Sequence, residues 1–256
     1  MTSFHVNAGR DSTTTAYIHL QEKFGHPPSG ACCDPVSTPP AENPRRTVAI
    51  YERADMASSG LASLQAVAYD KLDRYTSTTR GYAFNTYDNQ DNIDAPLAPS
   101  DVLMANLLSL RLGARDVIPL FIDDGGPAQD LREALDHALV ALRDAESFES
   151  YADLSALEEA MESLAAANGA ALPVKGWTAV TVSKVLHRRR PHMVPLIDSR
   201  VRKFYGAKRS EVPWKALWED IRENADWLAA LASTKTTPDG RPLSVLRLAD
   251  ILIWTP

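Results

Sequence analysis

Cysteine is nearly absent: 256 residues hold two, Cys32 and Cys33, side by side. Adjacent cysteines pair poorly with each other, and two cannot build a four-cysteine zinc or iron–sulfur site. A disulfide scaffold is therefore excluded, and a reducing cytoplasm is the expected compartment. Long apolar runs are missing too. Nothing approaches the roughly 20 residues that span a bilayer, so no membrane partner is expected. The N-terminus lacks a basic stretch followed by an apolar core, so no signal peptide is read. No internal period marks a repeat protein. No metal or cofactor motif is visible, so none is expected.

What the chain does contain is helical periodicity. Residues 1–46 are the exception. Pro27-Pro28, Pro35, Pro39-Pro40 and Pro44 forbid a long helix there, and the segment reads as an irregular Pro-rich extension. Thr47–Tyr51 has the composition of a short strand. From Met56 on, apolar residues recur at three- and four-residue steps. One stripe runs from Leu61 to Leu72, and a second starts behind Pro99-Ser100, with Ser100 as N-cap and Gly113 as terminator. Others cover Leu131–Leu142, Leu154–Leu164 and Trp214–Leu231, and Val245–Leu252 is the last. Arg80–Asn92 reads as a polar loop. The expected architecture is mostly α, seven or eight helices over residues 47–256.

Charge is distributed unevenly. The net charge is −6, yet Leu172–Lys215 holds eleven Lys or Arg against Asp198 and Glu211, a local charge of +9. The remainder carries 16 basic and 31 acidic residues, or −15. Such asymmetry suggests a polyanion partner, most commonly nucleic acid. Within this stretch Gly176-Trp177-Thr178 forms a tight turn entering a helix, after Leu172-Pro173 has stopped the preceding one. Free backbone N–H groups at such a turn suit a phosphate. Arg188-Arg189-Arg190 and Pro191 end that helix. An extended stretch, Met193–Ile197, leads into Asp198, which opens the next helix at Ser199.

This order of parts resembles the helix-hairpin-helix DNA glycosylase superfamily. That superfamily is marked by a hairpin of the type L-P-G-V-G-x-K-T-A, a helix, a Pro-containing extended stretch, and an Asp opening a further helix. Laid without gaps, Gly176-Trp177-Thr178 fall on the hairpin glycines and Asp198 on the catalytic aspartate, with Val201 on the valine that follows. The resemblance implies a helix-hairpin-helix glycosylase-like fold, with Asp198 stabilising the cationic sugar and positioning water. Lys175, Gly176, Trp177, Thr178 and Lys184 would then grip DNA phosphates, with Arg188, Arg189, Arg190, Arg200, Arg202 and Lys203 supplying backbone attraction. Thr178 replaces the second glycine. Val180 stands where bifunctional members keep their Schiff-base lysine, so no lyase step is implied.

The fuller pattern is similar to an uncharacterised bacterial domain family of the same superfamily. It comprises Arg74-Tyr75, Ser100-Asp101-Val102, the block Ser183–Asp198, and the ending Ser-x-Leu-Arg-x-x-Asp-Ile-x-x-Trp (Ser244–Trp254). This second resemblance brings no activity with it.

Several residues carry plainer readings beside these. Asp198 caps a helix whether or not it is catalytic. Asp101 reads as a first-turn acid facing the helix dipole rather than a second active-site carboxylate. His187 and His192 are expected to be exposed or phosphate-facing, not metal ligands, since no third ligand stands at a supporting spacing. Trp177 reads as a half-buried hairpin tip or a stacking surface. Ser183 and Lys184 point about 100° apart on their helix and form no dyad. Asp123-Asp124-Gly125-Gly126 is a turn, not a cation loop. Tyr82, Phe84 and Tyr87 either line a base pocket or anchor their loop. Function is therefore open between three readings: a monofunctional DNA N-glycosylase, a DNA-binding module that has lost catalysis, and a glycosidase acting on a free nucleoside or nucleotide-like metabolite.

Overall fold

The structure is a computed structural model that describes residues 60–90, 93–208 and 213–256. The Pro-rich extension, the strand at Thr47–Tyr51 and the cysteine pair lie outside the described residues. The chain is mostly helical. Among the described residues there is no β-strand, only one isolated antiparallel bridge between Thr236 and Pro242.

Twelve α-helices occur among the described residues: α1 Ala68–Thr76, α2 Phe84–Tyr87, α3 Pro99–Met104, α4 Ala114–Val117, α5 Pro127–Ala141, α6 Leu154–Ala160, α7 Glu162–Ala171, α8 Ala179–Arg189, α9 Ser199–Phe204, α10 Trp214–Glu223, α11 Ala225–Ala232 and α12 Val245–Trp254. Short 3-10 segments at Leu61–Val67, Ala105–Leu108, Ile118–Phe121 and Phe148–Ser150 complete the set. The count exceeds the expected seven or eight because two apolar stripes are each split in two, and two short helices, α2 and α4, lie outside the stripes. Met161 (φ −90°, ψ 7°) separates α6 from α7. Asn224 separates α10 from α11: its amide nitrogen donates to the Asp220 carbonyl at 2.8 Å, and its own oxygen accepts from Trp227 Nε1 at 2.8 Å. The stripe behind Pro99 yields only α3 and a 3-10 turn, which Ser109 ends in the left-handed region at φ 66°. Its N-cap is Ala98, not Ser100, and its end lies well before Gly113.

Local chemistry sets most of the other starts. Pro127 stands at the first turn of α5. Side-chain oxygens of Asp153, Thr178, Asp198 and Ser244 accept backbone N–H groups at the starts of α6, α8, α9 and α12. Each such cap contributes about 1 kcal/mol.

Packing does not follow the chain order. One group joins α5, α7 and α8. The other joins α12 to α1, α9 and α11. Helices from the two ends of the sequence therefore pack together, since α1 meets the C-terminal helix. A single apolar cluster runs through both groups, with Leu72, Leu135, Val185, Leu186, Leu248 and Leu252 among its buried members. Between the groups, α8, the start of α9, α12 and α1 surround a cavity.

Candidate functional site

The cavity measures about 100 Å³ and is lined by Tyr75, Gly81, Tyr82, Ala83, Leu107, Leu108, Lys184, Leu196, Asp198, Asp250 and Trp254. Its lining combines charged and aromatic side chains. Tyr75 and Tyr82 rings lie 5.0 Å apart, and Trp254 meets Tyr75 edge-on at 6.5 Å. The Arg200 guanidinium covers Trp254 at 4.1 Å from the ring and donates to the Trp254 carbonyl at 2.5 Å. That ring and carbonyl hold Arg200 at the C-terminal helix.

Asp198 sits at the start of α9. Its Oδ1 accepts the Arg200 and Val201 N–H groups at 2.9 and 3.2 Å. Its Oδ2 lies 3.5 Å from Lys184 Nζ. One oxygen thus holds the helix and the other lies near Lys184, while the residue lines the cavity, so capping and cavity placement coexist. Lys184 is buried and donates to the Leu108 carbonyl at 2.6 Å. Its main-chain carbonyl accepts the Tyr87 hydroxyl at 2.6 Å. Ser183, by contrast, bonds back to Val180 at 3.1 Å, so no dyad forms.

A second carboxyl of the cavity, Asp250, carries no role in the sequence reading. It lies on α12, almost fully buried, and accepts from Arg247 Nη1 at 2.5 Å. Arg247 is 1 % exposed and also donates to both oxygens of Asp88, at 2.9 and 2.7 Å, and to the Tyr75 hydroxyl at 3.3 Å. Burial pushes the Asp250 carboxyl up to about 6, with Asp198 and Asp88 adding repulsion against the pull of Arg247 and Lys184. Burial raises the Tyr75 hydroxyl as well. The available signal was the Arg-x-x-Asp spacing inside an otherwise apolar helix, which places two opposite charges on one face that must be buried.

The arginine triplet requires correction. Arg188, Arg189 and Arg190 are not a solvated phosphate-facing run; they clamp an irregular segment. Arg188 donates to the Tyr87 and Asn89 carbonyls at 3.0 and 2.8 Å and to Asp101 at 2.6 Å. Arg189, 2 % exposed, reaches Asp101 at 3.2 Å and the carbonyls of Ile93 and Ala95. Arg190, equally buried, donates to Leu139, Arg189 and Ile93 carbonyls at 3.0, 2.9 and 3.2 Å. The physical reason is that a segment without regular structure has carbonyls to satisfy, and guanidinium groups supply several donors each. Asp101 accepts the Ala98 N–H at 2.9 Å, as a first-turn acid should, and also balances two of these arginines.

His187 is corrected too. It is fully buried and stacked on Tyr87, and its Nδ1 pairs with the Val194 carbonyl at 2.6 Å. Burial drives its pKa down to about 3. His192 is half-buried, and burial lowers its pKa as well. Among the described residues no group of three or more metal-ligating side chains forms. Trp177 is buried, with Nε1 donating to the Asp116 carbonyl at 3.0 Å, so its face stacks on no ligand. Lys175, Gly176 and Thr178 are exposed at the turn, but the Asp116 carboxylate presses against Gly176 and opposes an anion there. Arg200 and Lys203 are exposed and Arg202 half-buried. Tyr82 lines the cavity, while Phe84 and Tyr87 anchor their segment in the interior. Gly126 N–H bonds to Asp124 at 2.9 Å, which makes that stretch a turn. No helix among the described residues is long and apolar enough to cross a membrane.

Residues 68–256 match the model of a family described as a family of unknown function (DUF6308). No curated protein and no solved structure matches the chain.

Proposed function

The chain belongs to that family, and we propose that it is an N-glycosidase acting on a base-bearing substrate. In this reading the fold is helix-hairpin-helix glycosylase-like and there is no lyase step. The supporting observation is Asp198, a residue of the cavity lining whose Oδ1 is fixed by two backbone N–H groups. A carboxylate held this rigidly needs no reorganisation when positive charge develops on a departing sugar. Lys184 Nζ, 3.5 Å away, holds its orientation. Val180 at the lysine position of bifunctional enzymes agrees with hydrolysis alone. Tyr82 and Trp254 in the cavity lining suit the flat face of a base.

Burial of the arginine triplet favours a small substrate over a duplex. Three guanidinium groups expected to attract a nucleic-acid backbone hold the protein's own carbonyls instead. The cavity is also smaller than the roughly 300 Å³ typical of sites for larger ligands, so it admits a ring-sized fragment. A free nucleoside or nucleotide-like metabolite therefore stands as the second substrate reading beside a DNA base.

The test is release of free base from a panel of nucleosides, nucleotides and oligonucleotides carrying modified bases, followed by chromatography. Wild-type protein is expected to release base, and Asp198→Asn to be slower by about 10²–10⁴-fold. Equal rates in the two proteins would remove Asp198 from the chemistry. Tight DNA binding without base release across the panel would establish the non-catalytic module instead.

A further inference from the structure

Two carboxyl groups face one small cavity, and the protein treats them differently. Asp198 receives two N–H donors and lies beside an ammonium, the surroundings of an anion. Asp250 is tied through Oδ2 alone, to Arg247. Its Oδ1 accepts no hydrogen bond among the described residues, and the residue lines the cavity. The charged and titratable groups acting on it come from several elements: Tyr75 of α1, Asp88 beyond α2, Lys184 of α8, Asp198 at the start of α9, and Arg247 of its own helix. Arg247 cannot neutralise Asp250 fully, because two of its N–H groups serve Asp88. Two like charges beside one cavity of about 100 Å³ repel, and burial penalises whichever is less well solvated by donors. That one is Asp250.

We propose that Asp250 is the proton donor of this site, its carboxyl protonating the base as it leaves. The inference rests on the N-glycosidase reading and assigns a role to a second residue within it. The carbon–nitrogen bond breaks with its electron pair on the base nitrogen, which takes the Asp250 proton. Water supplies oxygen to the anomeric carbon, and its proton passes to Asp198. One water is consumed. Asp198 then gives its proton to solvent, and solvent returns one to Asp250. The pair has the form expected where burial keeps one of two neighbouring carboxyl groups protonated so that it can donate.

The experiment is the pH dependence of kcat/KM for base release by the full chain, measured on the substrate identified by the panel. The wild type, Asp250→Asn, Asp250→Glu and Asp198→Asn are compared, with melting temperatures recorded for each. Wild-type activity is expected to fall about tenfold per pH unit above roughly pH 6, as the donor loses its proton. Asp250→Asn should lose about 10²–10⁴-fold on a nucleoside and show no such limb. On a 4-nitrophenyl riboside, whose leaving group departs without a proton, that variant should recover to near wild type. Asp250→Glu should keep the limb at reduced rate, and serves if the Asn variant does not fold. A wild-type profile with no limb near pH 6 overturns the proposal, and so does an Asn variant with an unchanged profile and rate. In both cases an inactive Asp198→Asn leaves the glycosidase reading standing. Absence of base release by the wild type on every substrate overturns the two together.

Discussion

His187 and Asp250 are both driven from their ordinary ionisation by burial, and the consequences for stability have opposite signs. His187 is neutral in the fold down to about pH 3, whereas an unfolded histidine takes a proton near 6.5. The unfolded chain therefore binds more protons between those values, and stability contributed above pH 6.5 is lost as pH falls toward 3. Asp250 keeps its proton in the fold up to about 6, against 3.8 in a free side chain. Its contribution is present below 3.8 and lost as pH rises through 6. In the window from about 4 to 6 each group differs by about one proton between fold and unfolded chain, with opposite sign, so the two nearly cancel. Stability from this pair should be nearly flat there. Denaturant midpoints at half-unit steps from pH 4 to 7 would show it. His187→Gln should make stability fall with pH across the window, and Asp250→Asn should make it rise. Parallel curves for wild type and His187→Gln would mean that the imidazole is solvated after all.

Among the elements, the turn before α8 is the most constrained. Gly176 has φ +86°, and a Cβ there would lie 2.5 Å from Asp116 Oδ1. Gly176→Ala should lower stability by about 1–3 kcal/mol from the backbone alone, with the clash added. Asp116→Ala in the same chain should relieve the clash but not the dihedral penalty, so the double-mutant cycle should show coupling. Strict additivity would place the carboxylate away from the turn. The turn and the cap of α9 were legible in sequence because their determinants are local: a glycine, a threonine, and an aspartate two and three residues before the amides it caps. The break at Asn224 was not. Apolar spacing runs straight through it, and only a side-chain bond back to Asp220 marks the interruption. α2 escaped notice within a polar loop for a related reason. Phe84 and Tyr87 face inward by contacts with α1 and α8 that no local window contains.

At the scale of the whole molecule, the charge count was correct and its interpretation incomplete. Counting cannot distinguish a guanidinium in water from one bonded to main-chain carbonyls. Sequence singled out Asp198, but the other half of the site, Arg247 with Asp88 and Asp250, depends on α12 meeting Asp88 and Tyr75 of α1 across 159 and 172 residues of chain. The same burial sets how the protein should respond to salt if it binds a duplex. Within Leu172–Lys208 the cations expected to meet phosphate and found at the surface are Lys175, Arg200 and Lys203, with Arg202 half-buried. Four phosphate contacts give a slope of log affinity against log salt of about −4, where the eight cations assigned to phosphate in sequence would give about −7. Lys175→Ala and Lys203→Ala should each flatten the slope by about one, with melting temperature nearly unchanged. Arg190→Met should do the reverse. Its guanidinium serves three carbonyls inside the protein, so the loss belongs to stability, about 1–3 kcal/mol for each group left unsatisfied, and the salt slope should hold. Fluorescence anisotropy on a short duplex between 50 and 200 mM salt, paired with thermal melts, separates the two behaviours. An Arg190→Met protein that melts like wild type and binds with a flatter slope would return the triplet to the surface.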